Sequence, residues 1–397
     1  MARRDASGSP ASPDFFGTAP EMAAMRALLA APGTAAMLRC DAALRLAWWM
    51  RQRDTRQALA LADDAEAGLP ALPAGTQATA RGRLALVRAE AAFLFHDLDA
   101  TQAQLARARA DLRNDAVGLG DVELLQATVL DHQGGDRLAA LAAASRQFER
   151  AGHAARQQLV DTWIACIDAT ADPEQLQQRW GAKLDTAAAT GEPGLLAFVE
   201  GARGTAAWRR GDPGAAIVCF QRGFHASLRC GQLQSAATLA QNIGIAFSTL
   251  NDHQGAMEWA DRARDIVEPT GWAYATAWCL MQTGSILVGL GRAQAARDLL
   301  LPRMALFDGA RGSRNHILAC QILGEACLAL NEDEAALHWS TLALQAAQGS
   351  PFSDLLDGTL RYLALAQSRL GRADEARQTA DHALALARQQ DDWPRVA

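Results

Sequence analysis

The sequence has little of what builds sheets or membrane spans. Among its 397 residues aromatics make up 6%, with 2 tyrosines against 10 tryptophans. Runs of β-branched residues with period-two alternation are missing, which argues against strands and predicts an all-helical chain. No run of about 18 apolar residues occurs, so no membrane-spanning helix is expected. The opening MARRDASGSPASPDFFGTAP has arginines but no apolar segment behind them, which argues against a signal peptide. Residues 1–20 are expected to be a disordered lead. Lysine is almost absent: Lys183 is the sole one, and arginine supplies the remaining positive charge. A net charge of -6 with no basic run argues against a nucleic-acid surface on this segment. The 7 cysteines are odd in number and scattered, as expected of reduced thiols in a cytoplasm.

Catalytic patterns are missing too. None of the 8 histidines belongs to an H-E-x-x-H or another compact ligand pair. There is no C-x-x-C; Cys320 and Cys327 share a helix face, as small apolar residues in a seam would, and a metal site there needs at least two more ligands. No phosphate loop and no nucleophile elbow are visible. Adjacent carboxylates such as Asp63-Asp64 do not converge on a common point. The reading is therefore of a segment with no catalytic residues, no metal and no cofactor.

Alanine is abundant instead, favouring helix and letting helices approach closely. Five stretches align without gaps: GTAAWRRGDPGAAIVCF, GIAFSTLNDHQGAMEWA, GSILVGLGRAQAARDLL, GEACLALNEDEAALHWS and ALAQSRLGRADEARQTA. They begin at Gly204, Gly244, Gly284, Gly324 and Ala364, each 40 residues after the last. The first column lies mid-helix, where glycine costs about 1 kcal/mol against alanine, so a neighbouring helix is expected to cross there closely. Gly211, Asn251, Gly291, Asn331 and Gly371 fall where a left-handed residue would stop the first helix. Ala216, Ala256, Ala296, Ala336 and Ala376 are expected contact points early in each second helix. Leu250, Leu290, Leu330 and Leu370 are expected to form a core column before the turn, with Leu239, Ile243 and Phe247 continuing the buried face of one first helix. Upstream the pattern decays: 46–69 and 89–112 fit a unit, while 128–152 and 164–187 are degenerate. The expected division is an irregular part over 21–190 and a regular part over 191–397.

These columns resemble the tetratricopeptide repeat (TPR) family: a small residue mid-helix, a Gly-type turn, and a small residue early in the second helix. The period here exceeds that family's usual repeat of about 34 residues, as in the longer variants of bacterial regulators that sense peptides or small molecules. The resemblance implies an α-solenoid, a right-handed superhelix of about nine hairpins whose neighbours bury one another's apolar faces. It also implies a ligand groove lined mainly by first helices. There the sequence places Trp208, Thr238, Gln241, Asn242, Ser248, Trp278, Met281, Gln282, Ser285, Gln321, Glu325, Arg361 and Arg369. Trp259 and Trp339, on second helices, read as wedges between repeats.

The closing DDWPRVA reads as the opening of another first helix, since aspartate caps and proline suits the first turn. The expectation is a chain cut before a C-terminal part. The segment LAWWMRQRDTRQALALADDAEA resembles the N-terminal sensory region of bacterial TPR-containing diguanylate cyclases. That resemblance implies a cytoplasmic sensor preceding a GGDEF domain, none of whose motif residues occur here. A transcription regulator with a C-terminal helix-turn-helix and a free-standing scaffold are the alternatives. The expected partner is a peptide, protein or small ligand; a homodimer is compatible with the chain, and neither nucleic acid nor membrane is expected to bind this segment. Within that segment Trp48 and Trp49 point about 100° apart, so they cannot share one face. With Arg45, Arg51 and Arg53 around them they read as an N-terminal capping unit with a solvated basic rim, or as an intermolecular contact.

Overall fold

The structure, a computed structural model, describes residues 19–174, 176–308 and 313–389. Every regular element among them is helical. A leading helix α1 (Ala19–Ala30) is followed by pairs of helices joined by turns. These are α2 (Ala36–Met50) with α3 (Thr55–Gly68), α4 (Ala74–Leu94) with α5 (Leu98–Asp111), and α6 (Ala116–His132) with α7 (Leu138–Arg150). Next come α8 (Ala154–Ala171) with α9 (Leu176–Ala189), α10 (Pro193–Arg209) with α11 (Pro213–Cys230), and α12 (Leu233–Thr249) with α13 (His253–Val267). Then follow α14 (Ala273–Gly289) with α15 (Ala293–Leu300), the short α16 (Ala305–Asp308), α17 (Arg314–Ala329) with α18 (Asp333–Ala347), and α19 (Leu356–Arg369) with α20 (Ala373–Gln389). The described residues thus hold nine hairpins, in the all-α solenoid class expected from the sequence. First helices pack on first helices, as α2 on α4, α4 on α6, α8 on α10 and α17 on α19. Helix α1 begins at Ala19, so the end of the expected disordered lead is helical; the rest of the lead, and DDWPRVA, lie outside the described residues.

The repeat columns have local causes. Gly211, Gly291 and Gly371 have φ of 77°, 72° and 77°, and Asn251 and Asn331 of 63° and 60°. That left-handed residue ends the first helix, and in the first two of these units an aspartate next to it caps the second. Asp212 Oδ1 accepts from Ala215 N at 2.9 Å, and Asp252 Oδ1 from Gly255 N at 2.9 Å. Upstream, Asp54 and Asp97 cap α3 and α5 in the same way, with His96 taking the left-handed position at φ 68°. The mid-helix glycines mark close approaches. A Cβ on Gly204 would stand 2.4 Å from the Phe220 ring, and one on Gly244 would stand 3.3 Å from the Ala256 carbonyl oxygen.

The alanine column is buried: Ala216, Ala256, Ala296 and Ala336 are 0% exposed. Ala296 sits in a cluster with Ala293, Ala326, Leu287, Val288 and Leu330 that leaves no room for a branched side chain. Ala296→Leu is expected to cost about 1–3 kcal/mol by overpacking, measured by chemical unfolding; an unchanged midpoint would refute this register. The leucine column differs from expectation. Leu250 is 51% exposed, while Leu290, Leu330 and Leu370 are only half-buried. Each precedes the left-handed residue by one position, at the turn end of its hairpin.

The chain forms two compact units. Among the described residues the first comprises 19–132, 136–174, 176–243 and 265–272; the second comprises 133–135, 244–264, 273–308 and 313–389. The first holds buried clusters around Leu141, Phe148 and Leu159 and around Trp180, Leu184 and Val199. The second holds clusters around Met281, Leu300, Phe307 and Leu323 and around Ile317, Ala347 and Leu355.

Candidate functional site

The first unit is closed by contacts between its two ends. The turn after α2 reaches residues that lie far along the chain. Arg53 stacks its guanidinium over the Trp49 ring at 3.8 Å, donates to Trp49 O at 2.9 Å, and donates also to the Cys230 carbonyl at the end of α11. Gln52 Oε1 accepts from Gln234 N at 3.3 Å, in the first turn of α12. Thr55 Oγ1 accepts from Trp272 Nε1 at 3.0 Å, and the Trp272 side chain is fully buried. Burial lowers the Arg53 guanidinium to about 10, which leaves it charged at neutral pH. The basic rim expected to be solvated is therefore an internal clasp. Trp48 is 4% exposed and Trp49 half-buried, with Arg26 on the latter at 5.4 Å.

Closure forms a half-open cavity of about 330 Å³. Its wall is built from six consecutive first helices, α2, α4, α6, α8, α10 and α12. Its lining is mostly apolar, with Leu125, Trp163 and Phe198 half-buried against it, and its polar groups include Arg51, Gln52, Glu90, Thr128, Thr205, Gln234, Ser235 and Asn242. The Trp163 and Phe198 rings lie 6.2 Å apart at 40°.

The charges on this wall are internally paired. Arg51 Nε lies 2.5 Å from Glu90 Oε2, and Gln52 Nε2 donates to Glu90 Oε1 at 2.7 Å. The Arg51 guanidinium also covers the Trp48 ring at 3.9 Å. Asp121, on the α6 part of the wall, is held from both sides. Arg83 Nη1 on α4 donates to Oδ2 at 2.5 Å, and Arg156 Nε on α8 to Oδ1 at 2.8 Å. Burial pushes the Asp121 carboxyl up, but Arg156 and Arg83 outweigh it and hold the group below its ordinary value. Arg83 is shared with Asp115 at 2.8 Å, so two arginines face two carboxylates.

At the edge of the site, Phe93 meets the His132 ring at 5.5 Å, and His96 meets it at 5.2 Å. Burial, aided by His96, lowers the His132 imidazole from 6.5 to about 4. Its unfolded form therefore binds a proton first. Stability present above pH 6.5 is expected to be lost as pH falls towards about 4. His132→Phe should flatten that part of the stability–pH curve; an unchanged slope would assign it to other groups.

Of the residues the sequence placed in a groove, Thr238 and Asn242 line this cavity, Thr238 exposed at its rim. Gln241 is buried beside them, and Trp208 and Ser248 are half-buried. In the second unit Gln321 and Arg361 line a separate groove formed by α17, α19 and α20. There Gln321 Nε2 is tied to Leu355 O at 2.9 Å, while Arg361 donates to Tyr362 OH at 3.0 Å and Tyr362 to Glu325 at 2.8 Å. Burial raises the Tyr362 hydroxyl to about 12, so it stays a donor. Met281 belongs to a buried cluster with Trp278 against it, Gln282 is 9% exposed, and Ser285 is exposed. Arg369 donates to Leu328 O at 2.6 Å, closing a helix end. Trp48, Glu90, Asp121 and Trp163 were not anticipated as wall residues. Charges at 83, 121 and 156, recurring inside apolar stretches of consecutive first helices, were the available signal.

Stacked helix pairs with a left-handed turn residue, an early alanine and first helices in one layer define a TPR-like fold. Solved structures agree. A Rap protein complexed with competence and sporulation factor superposes with a TM-score of 0.57 at 12% identity, over 89% of this chain and 99% of that one. A signal transduction ATPase with numerous domains and a tetratricopeptide repeat sensor, from Pyrococcus horikoshii, gives 0.56 at 9% identity, over 86% of this chain and 54% of that one. The Cut9–Hcn1 hetero-tetramer of APC/C gives 0.55 at 14% identity, over 88% and 67%. No protein-family model and no curated protein matches this sequence. Among the described residues no helix is long and apolar enough to cross a membrane, and no cluster of metal-ligating side chains occurs.

Proposed function

We propose that this chain is a sensory protein-interaction module that binds a ligand in the cavity of its first unit and passes the binding on to an output domain. The observation that carries the reading is the convergence of six first helices on one cavity. A site shared by six hairpins couples a bound molecule to the packing of all of them. The fold likeness to a TPR sensor and to a Rap protein complexed with a signalling factor supports a sensory use. A ligand acts only if it prefers one of two arrangements of the array; tight binding to both shifts nothing. The output proposed from the sequence resemblance is a bacterial, cytoplasmic GGDEF diguanylate cyclase, with this segment itself non-enzymatic.

Hydrogen exchange on the whole chain tests the reading. Incubation with fractionated peptides and small molecules should protect α2, α6, α8 and α10 along their cavity faces. Protection confined to second helices such as α3, α5 and α7 would instead favour a scaffold that holds partners on its outer face. A coding sequence that continues past codon 397 into a Gly-Gly-Asp/Glu-Glu-Phe motif would support the cyclase output; a helix-turn-helix would support the regulator. GTP turnover by these 397 residues alone would overturn the non-enzymatic reading.

A further inference from the structure

We infer that the cavity of the first unit takes a small, uncharged molecule with an aromatic or apolar body and an amide or hydroxyl head, not an extended peptide. The inference rests on the sensory reading above and specifies its ligand.

Charge decides first. The wall carries Arg51, Glu90 and Asp121, and each is already matched by a protein group. Arg51 is 8% exposed and Asp121 4%, so both lie where unpaired charge is costly. An anion would have to take Arg51 from Glu90, and a cation would have to take Glu90 from Arg51. Either exchange strands a charge in a desolvated site. A neutral molecule leaves the pairs intact.

Shape decides next. A cavity of about 330 Å³ falls at the lower end of the range for small-molecule pockets. A peptide in extended form advances about 3.3 Å per residue and must satisfy one N–H and one C=O at each step. Most of the lining is apolar, Leu124, Leu125, Leu159, Trp163 and Phe198 among it, and beyond the Thr128 and Thr205 hydroxyls these helices offer a peptide backbone few partners. They offer instead ring faces and edges suited to an aromatic or aliphatic body. Helix α12 supplies amides and a hydroxyl, Gln234, Ser235 and Asn242, for a single polar head.

A charge series on one body tests this. N-acetylphenylalaninamide is neutral, N-acetylphenylalanine is an anion, and phenylalaninamide is a cation. Each is titrated calorimetrically into the full chain at neutral pH, with Trp163 fluorescence recorded in parallel. The neutral probe is expected to bind at least tenfold more tightly than either charged one. Trp163→Ala should weaken it at least tenfold, and Asn242→Leu should do so without removing any of the wall's aromatic rings; helix content and unfolding midpoint are followed for both variants. Tighter binding of a charged probe, with Trp163 responding, would overturn the neutral class and leave the cavity as a sensory site. Absence of neutral-probe binding at millimolar concentration would also overturn the class. The sensory reading survives that result if peptides protect the cavity helices from exchange, and falls if nothing does.

Discussion

Asp121→Asn is expected to lower the stability of the first unit by about 3–5 kcal/mol, the cost of leaving buried charge without its partner. Asp121 sits between Arg83 and Arg156, which are 1% and 0% exposed. The amide can accept from one guanidinium, but it cannot neutralise two. The wild-type geometry satisfies both carboxylate oxygens, with Arg156 Nη2 adding a third contact to Oδ2 at 3.3 Å. Arg156 Nη1 is placed by the His153 ring at 2.8 Å, and Arg83 also holds Asp115. The network therefore ties α4, α6 and α8 together at one point. Chemical unfolding followed by circular dichroism measures the loss. Replacing all three residues, as Arg83→Met, Asp121→Leu and Arg156→Met, should recover most of it, because well-packed apolar groups can stand in for a buried ion cluster. A single substitution with no effect would mean that water reaches the cluster. The acid side follows with the same sign. Because the folded Asp121 carboxyl is held below its ordinary value, its stabilisation is present above the unfolded value near 3.8 and disappears as pH falls through the folded one.

Trp272→Ala should cost about 3–5 kcal/mol, as expected for a fully buried indole cut back to a methyl. It should also change how the first unit unfolds. Repeat arrays unfold piecemeal because each hairpin touches only its neighbours. Here Trp272, Arg53 and Gln52 join the two ends, so the terminal hairpins of the unit support each other. With the indole removed, the transition is expected to broaden, and amides of α2 and α3 should exchange before those of α6 and α8. Trp272→Phe isolates the polar part. It keeps most of the packing and loses only the bond to Thr55, whose hydroxyl still donates to Arg51 O at 2.7 Å. A loss of about 0.5–1.5 kcal/mol is expected there. An alanine variant that unfolds as sharply as the wild type would show that the clasp carries no cooperativity.

The sequence alone determined the hairpin, its turn and its period. These are local: a left-handed Gly or Asn at 211, 251, 291, 331 and 371, a capping Asp beside the first two, and a small residue where helices touch. A few residues fix each, so the pattern stays visible in one chain. Of the groove residues implied by the family resemblance, Thr238 and Asn242 line the cavity. Tertiary structure alone decided that the first unit closes on itself. The bonds that close it join residues 177, 182 and 217 positions apart, and no periodicity reports such a separation. Each joins the irregular part, at residues 52–55, to the regular part, at residues 230–272, as a one-off contact outside the repeated columns. That is why Arg51 and Arg53, which look like a solvated rim in the sequence, turn out to lie on tryptophan rings, Arg51 buried and Arg53 half-buried. The cavity is a further consequence. A wall drawn from six helices exists only once closure has curved them around a common space, and the charges of that wall become a statement about ligands only once their partners are known.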